Sequence, residues 1–510
     1  MNEGVLPVPR TRLIIVTASI MLALSLAAIE ATVVSTAMPT IISQLGGLAE
    51  YGWVFSVYAL TSAVMTPIFG KLSDLYGRRP VFLVGMAIFL VGSALSGLAQ
   101  SMPQLIFFRA IQGLGAGALI PLSFTIAGDI FTVEQRTRVQ GLFSGVWGVA
   151  SLIGPVLGGL IVQLTTWRWV FYVNVPLGLL AMGMVWWGLT EPAPHRGPVQ
   201  IDYLGALTLS TSVVALLLGM LEGGNLWPWL SWQTAVLLVA AVAAFLVFLR
   251  VERRAPQPII PLSLFRDRVF NVAAAQGVTA GFALFGSSAF VPLFAQAVLG
   301  MAPAMAGLML TPQTIGWVIA STAGAPFILR LGYRPILIAG MTVMTLGALM
   351  MTRLNIDTTM WYLGVSQLFC GAGMGISVTT LLIAAQNRVS RAQMGATTST
   401  LTFSRSIGGT IGVSIMGAVL AALLLNGLQS LDGNLSITPE QLLDPIASHS
   451  IPPQALEPLR EVLAAAIQPV FVIAAVATAL GLVAALFMPG GSVRELATEP
   501  TGVEVAAPLE

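Results

Sequence analysis

Long apolar runs separated by short polar segments make up most of the chain. A membrane span needs about 20 mainly apolar residues in helical conformation. Fourteen runs meet this requirement, at approximately 13–38, 52–71, 80–100, 103–127, 139–162, 169–189, 203–221, 231–250, 269–297, 304–329, 334–351, 359–385, 395–425 and 464–488. The pattern predicts an all-α membrane protein with fourteen spans.

Most polar segments between the runs are short, with one exception at 426–463. This segment contains "SITPEQLL", in which Thr438, Pro439 and Gln441 supply an N-cap, a proline at the first helical position and a capping-box partner. We therefore expect one or two short helices in this loop. The residues at 491–510 are expected to form a tail.

Four short sequences recur in the same order at offsets of 253 to 256 residues. The clearest pair is "GRRPVFLVGM" at Gly77 and "GYRPILIAGM" at Gly332. A constant offset indicates a parallel duplication, which membrane transporters use to build two bundles around a central site. It predicts a six-helix bundle at 1–200, two linking spans at 201–255 and a second six-helix bundle at 256–490.

Basic residues divide unequally between the two ends of the predicted spans. In membrane proteins, Lys and Arg are enriched in the cytoplasmic loops. With the amino terminus in the cytoplasm, 18 of the 23 Lys and Arg residues lie on the cytoplasmic side and 3 lie outside. We therefore expect a multi-pass protein of the inner (cytoplasmic) membrane, with both termini in the cytoplasm and the loop 426–463 outside.

The composition excludes several classes of protein. Only 9% of the residues are charged and the mean hydropathy is +0.88, whereas soluble proteins have about 25% charged residues. Cys370 is the single cysteine, and His195 and His449 lie far apart in predicted loops, so we expect no metal site. Leu72 follows the only lysine, Lys71, where a P-loop requires Ser or Thr. We expect no enzyme activity, no cofactor and no nucleic-acid partner, and transport driven by an ion gradient.

Three charged residues lie well inside the predicted spans, away from their ends: Glu30, Arg109 and Arg405. An arginine in the bilayer centre costs about 2.5–3.5 kcal/mol or more, so Arg109 should face the bundle interior and a partner. A buried carboxyl group is easily neutralised by a proton, which makes Glu30 a candidate proton carrier. Two simpler interpretations stay open: Glu30 reaches outside water from a helix end, and Arg405 pairs with a carboxylate or a lipid phosphate or is purely structural.

Four segments stand out for their charged residues, glycines or prolines. They are "IEATVVSTAMP" at Ile29, "GKLSDLYGRRP" at Gly70, "RAIQGLGAG" at Arg109 and "ASLIGPVLGG" at Ala150. The glycines allow close approach of backbones and helices, and Pro155 removes a backbone hydrogen bond.

The four segments resemble signatures of the major facilitator superfamily. The segment at Gly70 matches G-x-L-x-D-x-x-G-R-R at each position, and the segment at Arg109 matches R-x-x-Q-G-x-G. The segment at Ala150 is similar to the antiporter signature G-x-x-x-G-P-x-x-G-G, with Ala150 in place of the first glycine. The first segment resembles that of the fourteen-helix drug:proton antiporters, with Glu30 where the family usually has Asp. With the 6+2+6 layout, the resemblance covers nearly the whole chain and implies the major facilitator fold.

The resemblance also implies roles for individual residues. Asp74 should contact the start of a helix in the second half near Gly395, Arg78 should pair with Asp129, and Arg109 should take part in proton transfer with Glu30. The implied cytoplasmic gate comprises Gly70, Asp74, Gly77, Arg78, Arg79 and Asp129. The implied antiporter motif comprises Gly154, Pro155, Gly158 and Gly159. The simpler interpretations are a positively charged loop with a solvated Asp74 and a packing kink at Pro155.

These expectations combine into a function. The chain should be a proton-coupled exporter of lipophilic cationic or neutral drugs that works by alternating access, as a monomer in the lipid bilayer. The alternatives are a dedicated exporter of a metabolite, lipid or siderophore, and a non-transporting membrane receptor or scaffold. Candidate residues for the substrate cavity are Trp53, Tyr58, Gln112, Trp147, Gln276, Gln313, Gln367 and Arg405, and each of them is also explained by packing.

Overall fold

A computed structural model describes residues 9–47, 50–191, 199–224, 226–430 and 453–491 of the chain. The helices are α1 (Arg10–Leu45), α2 (Tyr51–Tyr76), α3 (Arg78–Leu98), α4 (Met102–Ile130), α5 (Val133–Leu164), α6 (Trp169–Tyr172), α7 (Asn174–Gly188), α8 (Tyr203–Glu222), α9 (Trp232–Glu252), α10 (Arg268–Leu293), α11 (Pro303–Leu308), α12 (Thr311–Leu331), α13 (Tyr333–Met351), α14 (Met360–Gln386), α15 (Met394–Ser430) and α16 (Pro453–Leu486). Short 3₁₀ segments lie at Leu262–Arg266 and Arg391–Gln393, and a π-helical turn at Phe294–Val298 continues α10.

Thirteen helical segments of the described residues are long and apolar enough to cross a membrane. The prediction of an all-α, multi-pass membrane protein is therefore confirmed. The remaining predicted span, 304–329, contains two helices, α11 and α12, because the chain turns at Met309 and Leu310. The predicted span at 169–189 is interrupted at Val173, between α6 and α7.

The two halves of the chain repeat the same packing. In the first half α4 packs on α2 and α3, and in the second half α14 packs on α12 and α13. Each half has apolar cores of its own. The turns α2–α3 and α12–α13 both contain a glycine in the left-handed region, Gly77 at φ 96° and Gly332 at φ 83°. A side chain at either position would strain the backbone, so the repeated glycine has a common structural cause.

Two seams join the halves, one between α2 and α15 and the other between α5 and α12. The helices α8 and α9 pack on each other, and α8 also contacts both α2 and α15. The shared apolar cluster includes Leu60 of α2, Leu209 and Val213 of α8 and Phe248 of α9, with Phe403 of α15 packed against it. The two linking helices therefore lie over one seam only.

The predicted polar segment 426–463 overlaps the end of α15 and the start of α16. Helix α15 extends to Ser430 and α16 begins at Pro453, since a helix continues into polar sequence wherever its i→i−4 hydrogen bonds are formed. Residues 431–452, which include Thr438, Pro439, Gln441 and His449, lie outside the described residues, as do His195 and residues 492–510.

Candidate functional site

Glu30 lies within α1 and is buried in the first half, with 2% of its surface exposed. Its Oε1 accepts a hydrogen bond from Nη1 of Arg109 on α4, and Oε2 accepts one from Nδ2 of Asn174 at 2.6 Å. Both carboxylate oxygens therefore have donors from other helices. Glu30 does not reach water from a helix end in this state.

The Arg109 guanidinium has further partners on two helices. Its Nε donates to the carbonyl of Val54 at 3.1 Å, and Nη1 donates to Oε1 of Gln112 at 2.8 Å. Its Cζ lies 4.2 Å from the ring centroid of Tyr58, at cation–π distance. These contacts fix the position of Arg109 independently of Glu30.

Asn174 connects Glu30 to the helices α3 and α7. Its Nδ2 also contacts Oγ of Ser93 on α3 at 3.0 Å, and Ser93 donates to the carbonyl of Phe171 at 2.8 Å. Asn174 lies at the first position of α7, directly after the interruption of the sixth span. A change in the charge of Glu30 therefore acts on α1, α4 and α7 together.

The glycines of "ASLIGPVLGG" let α5 approach the helix that carries Glu30. A Cβ at Gly154 would lie 1.9 Å from Oγ1 of Thr32, and a Cβ at Gly158 would lie 2.0 Å from Oγ1 of Thr36. Gly159 has no atom within 4 Å of that position. Pro155 is inside α5. The motif therefore determines how closely α5 packs against α1, within two turns of Glu30.

An apolar cavity of about 620 Å³ lies between α1 and α5. Its lining includes Ser25 and Ile29 on α1 and Gly145, Ala150 and Ile153 on α5. Ile29 is the neighbour of Glu30 in the sequence. The volume falls in the range of about 300–1,000 Å³ that is typical of small-molecule sites.

Asp74 joins the two halves at the α2–α15 seam. Its Oδ1 accepts from the backbone N–H of Gly395 at 2.9 Å, and Oδ2 accepts from that of Ala396 at 2.8 Å. These are unpaired N–H groups of the first turn of α15, where a negative charge is favoured by the helix dipole. A Cβ at Gly70 would lie 2.4 Å from Cβ of Ser399, so Gly70 permits this close contact.

Arg78 connects Asp74 to Asp129 at the end of α4. Its Nη1 lies 2.7 Å from Oδ1 of Asp74, and its Nε lies 2.8 Å from Oδ2 of Asp129. Nη2 also donates to the carbonyl of Arg391 at 2.6 Å, across the seam. Nη1 of Arg136 donates to Oδ1 of Asn387 at 3.0 Å, again between the halves. In this state the halves are closed at the end of the bundle that carries Asp74.

Arg79 has a different environment from Arg78. Its guanidinium lies 4.4 Å from the ring centroid of Trp186, and its backbone N–H donates to Oε1 of Glu191 at 2.8 Å. Glu191 also accepts from the N–H of Arg78, so it caps the start of α3. A Cβ at Gly77 would lie 2.1 Å from Oε2 of Glu191.

The predicted cavity residues do not converge on one site. Tyr58 and Gln112 contact Arg109, as described above. Gln276 is buried with its Nε2 3.2 Å from Sδ of Met341, and Gln313 accepts from Ser288 at 3.0 Å. Gln367 is fully buried inside the second half. Trp53 and Trp147 are half-buried, and Arg405 lies where α15 contacts α10. None of the eight predicted cavity residues lines the α1–α5 cavity.

Sequence reasoning missed Asn174, Ser93 and Glu191. An asparagine within the apolar run "YVNVP" was a signal, because a buried amide needs partners. Ser93 and Glu191 carried no comparable signal, since serine is common in membrane helices and glutamate is common at helix ends.

Two repeated helical bundles around a buried polar site are an architecture that membrane transporters use. The family model described as Major Facilitator Superfamily matches residues 20–413. The chain belongs to this superfamily.

Two bacterial proteins are similar over most of the chain. It is 39% identical over 403 residues to the Multidrug transporter protein MdtP of Bacillus subtilis (strain 168), covering 79% of this chain and 74% of the relative. It is 35% identical over 489 residues to Multidrug resistance protein 3 of the same organism, covering 94% of this chain and 95% of the relative. The crystal structure of the human organic anion transporter MFSD10 (TETRAN) shares the fold, with a TM-score of 0.63 at 15% identity and coverage of 94% of this chain and 100% of that chain.

Proposed function

We propose that the chain is a proton-coupled exporter of lipophilic cationic or neutral compounds that works by alternating access. The observation that carries the proposal is the buried Glu30–Arg109 pair on α1 and α4. A buried charge pair is costly unless it is fully hydrogen-bonded. Protonation of Glu30 would therefore alter the contacts among α1, α4 and α7. The names of the two Bacillus relatives support the drug class.

Glu30 would accept a proton from the side opposite the Asp74 gate. Protonation removes its charge and leaves Arg109 held by Val54, Gln112 and Tyr58. Contacts between α1 and α4 are then weaker, which favours opening of the gate. On the cytoplasmic side Glu30 releases the proton as a substrate enters, and a cationic substrate stabilises the carboxylate that forms.

The gate residues would determine which state is populated. Asp74, Arg78 and Asp129 stabilise the state that is closed at their end. The excess of basic residues at this end supports its placement on the cytoplasmic side of the membrane. We further propose that the protein lies in the inner membrane and works as a monomer. The apolar α1–α5 cavity supports a lipophilic substrate that approaches Glu30 from α5.

The test is transport by the purified protein in liposomes under an imposed pH gradient, with ethidium as the lipophilic cation. Wild-type protein should move ethidium against proton flow. Glu30→Gln should lose gradient-driven transport while remaining folded, because the amide can still accept from Arg109 but cannot exchange a proton. Glu50→Gln, the same change at an exposed position, should behave as wild type. Unchanged gradient-driven transport by Glu30→Gln contradicts the proposal.

The rival function is a dedicated exporter of one metabolite, lipid or siderophore on the same fold. A panel of chemically unrelated lipophilic compounds separates the two functions in the same liposomes. Competition by several unrelated compounds supports the drug exporter, and a response to a single compound supports the dedicated one.

A further inference from the structure

Two carboxyl groups, the half-buried Asp202 and the buried Glu252, lie at the ends of the two linking helices. Asp202 directly precedes α8, and its Oδ1 accepts from the N–H of Gly205 at 2.7 Å. Glu252 is the last residue of α9 and has 3% of its surface exposed. Its Oε1 accepts from the N–H of Ile260 in the segment that leads to the second half. One oxygen of each carboxyl group is therefore satisfied by the backbone.

The two remaining oxygens face each other. Oδ2 of Asp202 and Oε2 of Glu252 are buried and have no hydrogen-bond donor among the described residues. A Cβ at Gly205 would lie 2.2 Å from the first and 3.0 Å from the second, so the oxygens are at most 5.2 Å apart. Gly205, which has no side chain, leaves the space in which the two oxygens approach each other.

Two ionised carboxylates are unfavourable in this arrangement. Both oxygens are acceptors, so neither can satisfy the other, and like charges at this distance repel in a medium of low polarity. A single proton removes both problems, because the protonated group becomes a donor to the other. Carboxylate pairs that share one proton are a known solution to this geometry.

Among the described residues, Asp202 and Lys71 are the charged side chains that interact with Glu252. Lys71 lies on α2 three residues after Ile68, which packs against the apolar cluster that contains Ile260. From this position the lysine interacts electrostatically with Glu252 and with Asp74. Asp202, directly before α8, is the other charged group that faces Glu252, and α15 packs Phe403 and Ile407 against the neighbouring apolar cluster. One shared proton leaves the pair with a single negative charge, which one lysine can balance.

We propose that Asp202 and Glu252 form a proton-binding site that holds one shared proton, and that Lys71 on α2 balances the remaining negative charge. This site is separate from Glu30. It lies at the Asp74 end of the bundle, on helices that contact both α2 and α15. The linking helices thereby sense the proton concentration on the side that the gate faces.

The test is an infrared pH titration of the full-length protein in lipid nanodiscs, which follows the carbonyl stretch of protonated carboxyl groups. Glu252→Gln and Asp202→Asn should each lose the same component of this band. In either variant the new amide donates to the remaining carboxylate, so the fold is kept and the proton is no longer needed. Asp267→Asn is the matched control, since Asp267 is buried but paired with Arg388 at 2.6 Å, and it should leave the component in place.

A third variant tests the contribution of Lys71. Removing the cation in Lys71→Gln disfavours the deprotonated pair, so the Glu252-dependent component should persist to higher pH than in the wild type, and Lys71→Arg should restore the original midpoint. Each single variant of the pair is an independent test. A folded Glu252→Gln or Asp202→Asn protein with the complete wild-type band overturns the proposal. An unchanged midpoint in Lys71→Gln overturns the part assigned to Lys71.

Discussion

At the scale of single residues, the charge of Glu30 depends on donors from separate helices. Leaving one charge of a buried pair without its partner costs about 3–5 kcal/mol. Arg109 and Asn174 each supply a donor, and Ser93 in turn contacts Asn174. The Glu30 carboxylate is therefore stabilised by a neutral side chain as well as by Arg109.

Asn174→Ala should make Glu30 easier to protonate. The substitution removes a hydrogen bond to the charged form, which is worth about 1.5–3 kcal/mol. Since about 1.4 kcal/mol corresponds to one pH unit, the midpoint of the transport–pH profile should move to higher pH by about one unit or more. The measurement is ethidium transport in liposomes at a series of pH values.

Ser93→Ala serves as the control for this change. It removes the neighbour of Asn174 and leaves both donors to Glu30 in place, so its midpoint should move less. A profile of Asn174→Ala that coincides with that of Ser93→Ala would show that the amide does not tune Glu30.

At the scale of elements, α1 and α5 pack through two glycines whose spacing places them on one face. Gly154 and Gly158 lie against Thr32 and Thr36, which are also four residues apart. Residues four apart lie on the same side of a helix. The distance between the helices is thus determined by the absence of two side chains.

Gly158→Ala should weaken this contact, and Gly159→Ala should not. A Cβ at Gly158 would meet Oγ1 of Thr36 at 2.0 Å and the carbonyl of Val33 at 3.0 Å, whereas the position at Gly159 is open. Overpacking typically costs about 1–3 kcal/mol. Thermal unfolding in detergent should therefore show a lower apparent Tm for Gly158→Ala alone, with reduced transport. Equal unfolding temperatures for the two variants would disprove the role of the close contact.

At the scale of the whole molecule, the two seams are not equivalent. The α2–α15 seam contains the Asp74 contacts and is covered by α8. The α5–α12 seam has no such covering helix among the described residues, and the apolar cavity lies beside it on α5. A fold with internal pseudo-symmetry therefore presents different sides to the bilayer.

Asp74→Asn should shift the protein away from the state closed at the gate. The change removes the ionic contact with Arg78 and the charge at the start of α15, and a loss of about 1.4 kcal/mol alters a population ratio tenfold. The measurement uses Ser399→Cys, a buried position at the seam, in a Cys370→Ala background. Its reaction with a membrane-impermeant maleimide from the gate side should become about tenfold faster.

Asp357→Asn, an exposed position elsewhere on the protein, is the control and should leave the labelling rate unchanged. A rate in Asp74→Asn that equals that of the control would mean that Asp74 does not hold the gate closed.

The sequence by itself determined the number of apolar segments to within one, the all-α membrane fold and the superfamily. Each of these properties can be read from one stretch of sequence at a time. A membrane span is decided by the hydropathy of about 20 consecutive residues, and the superfamily is indicated by short motifs. The sequence also showed that Gly77 is repeated at Gly332, and the structure gives the reason: both positions have a backbone conformation that favours glycine.

Only the tertiary structure decided which polar side chains meet. Glu30 and Asn174 are 144 residues apart, and Asp202 and Glu252 lie on different helices. Such contacts depend on the rotation and separation of helices that are packed together, and a hydropathy pattern carries no information about either. The same reason explains why the predicted cavity residues, which were selected as polar or aromatic side chains within the spans, lie at separate places in the bundle.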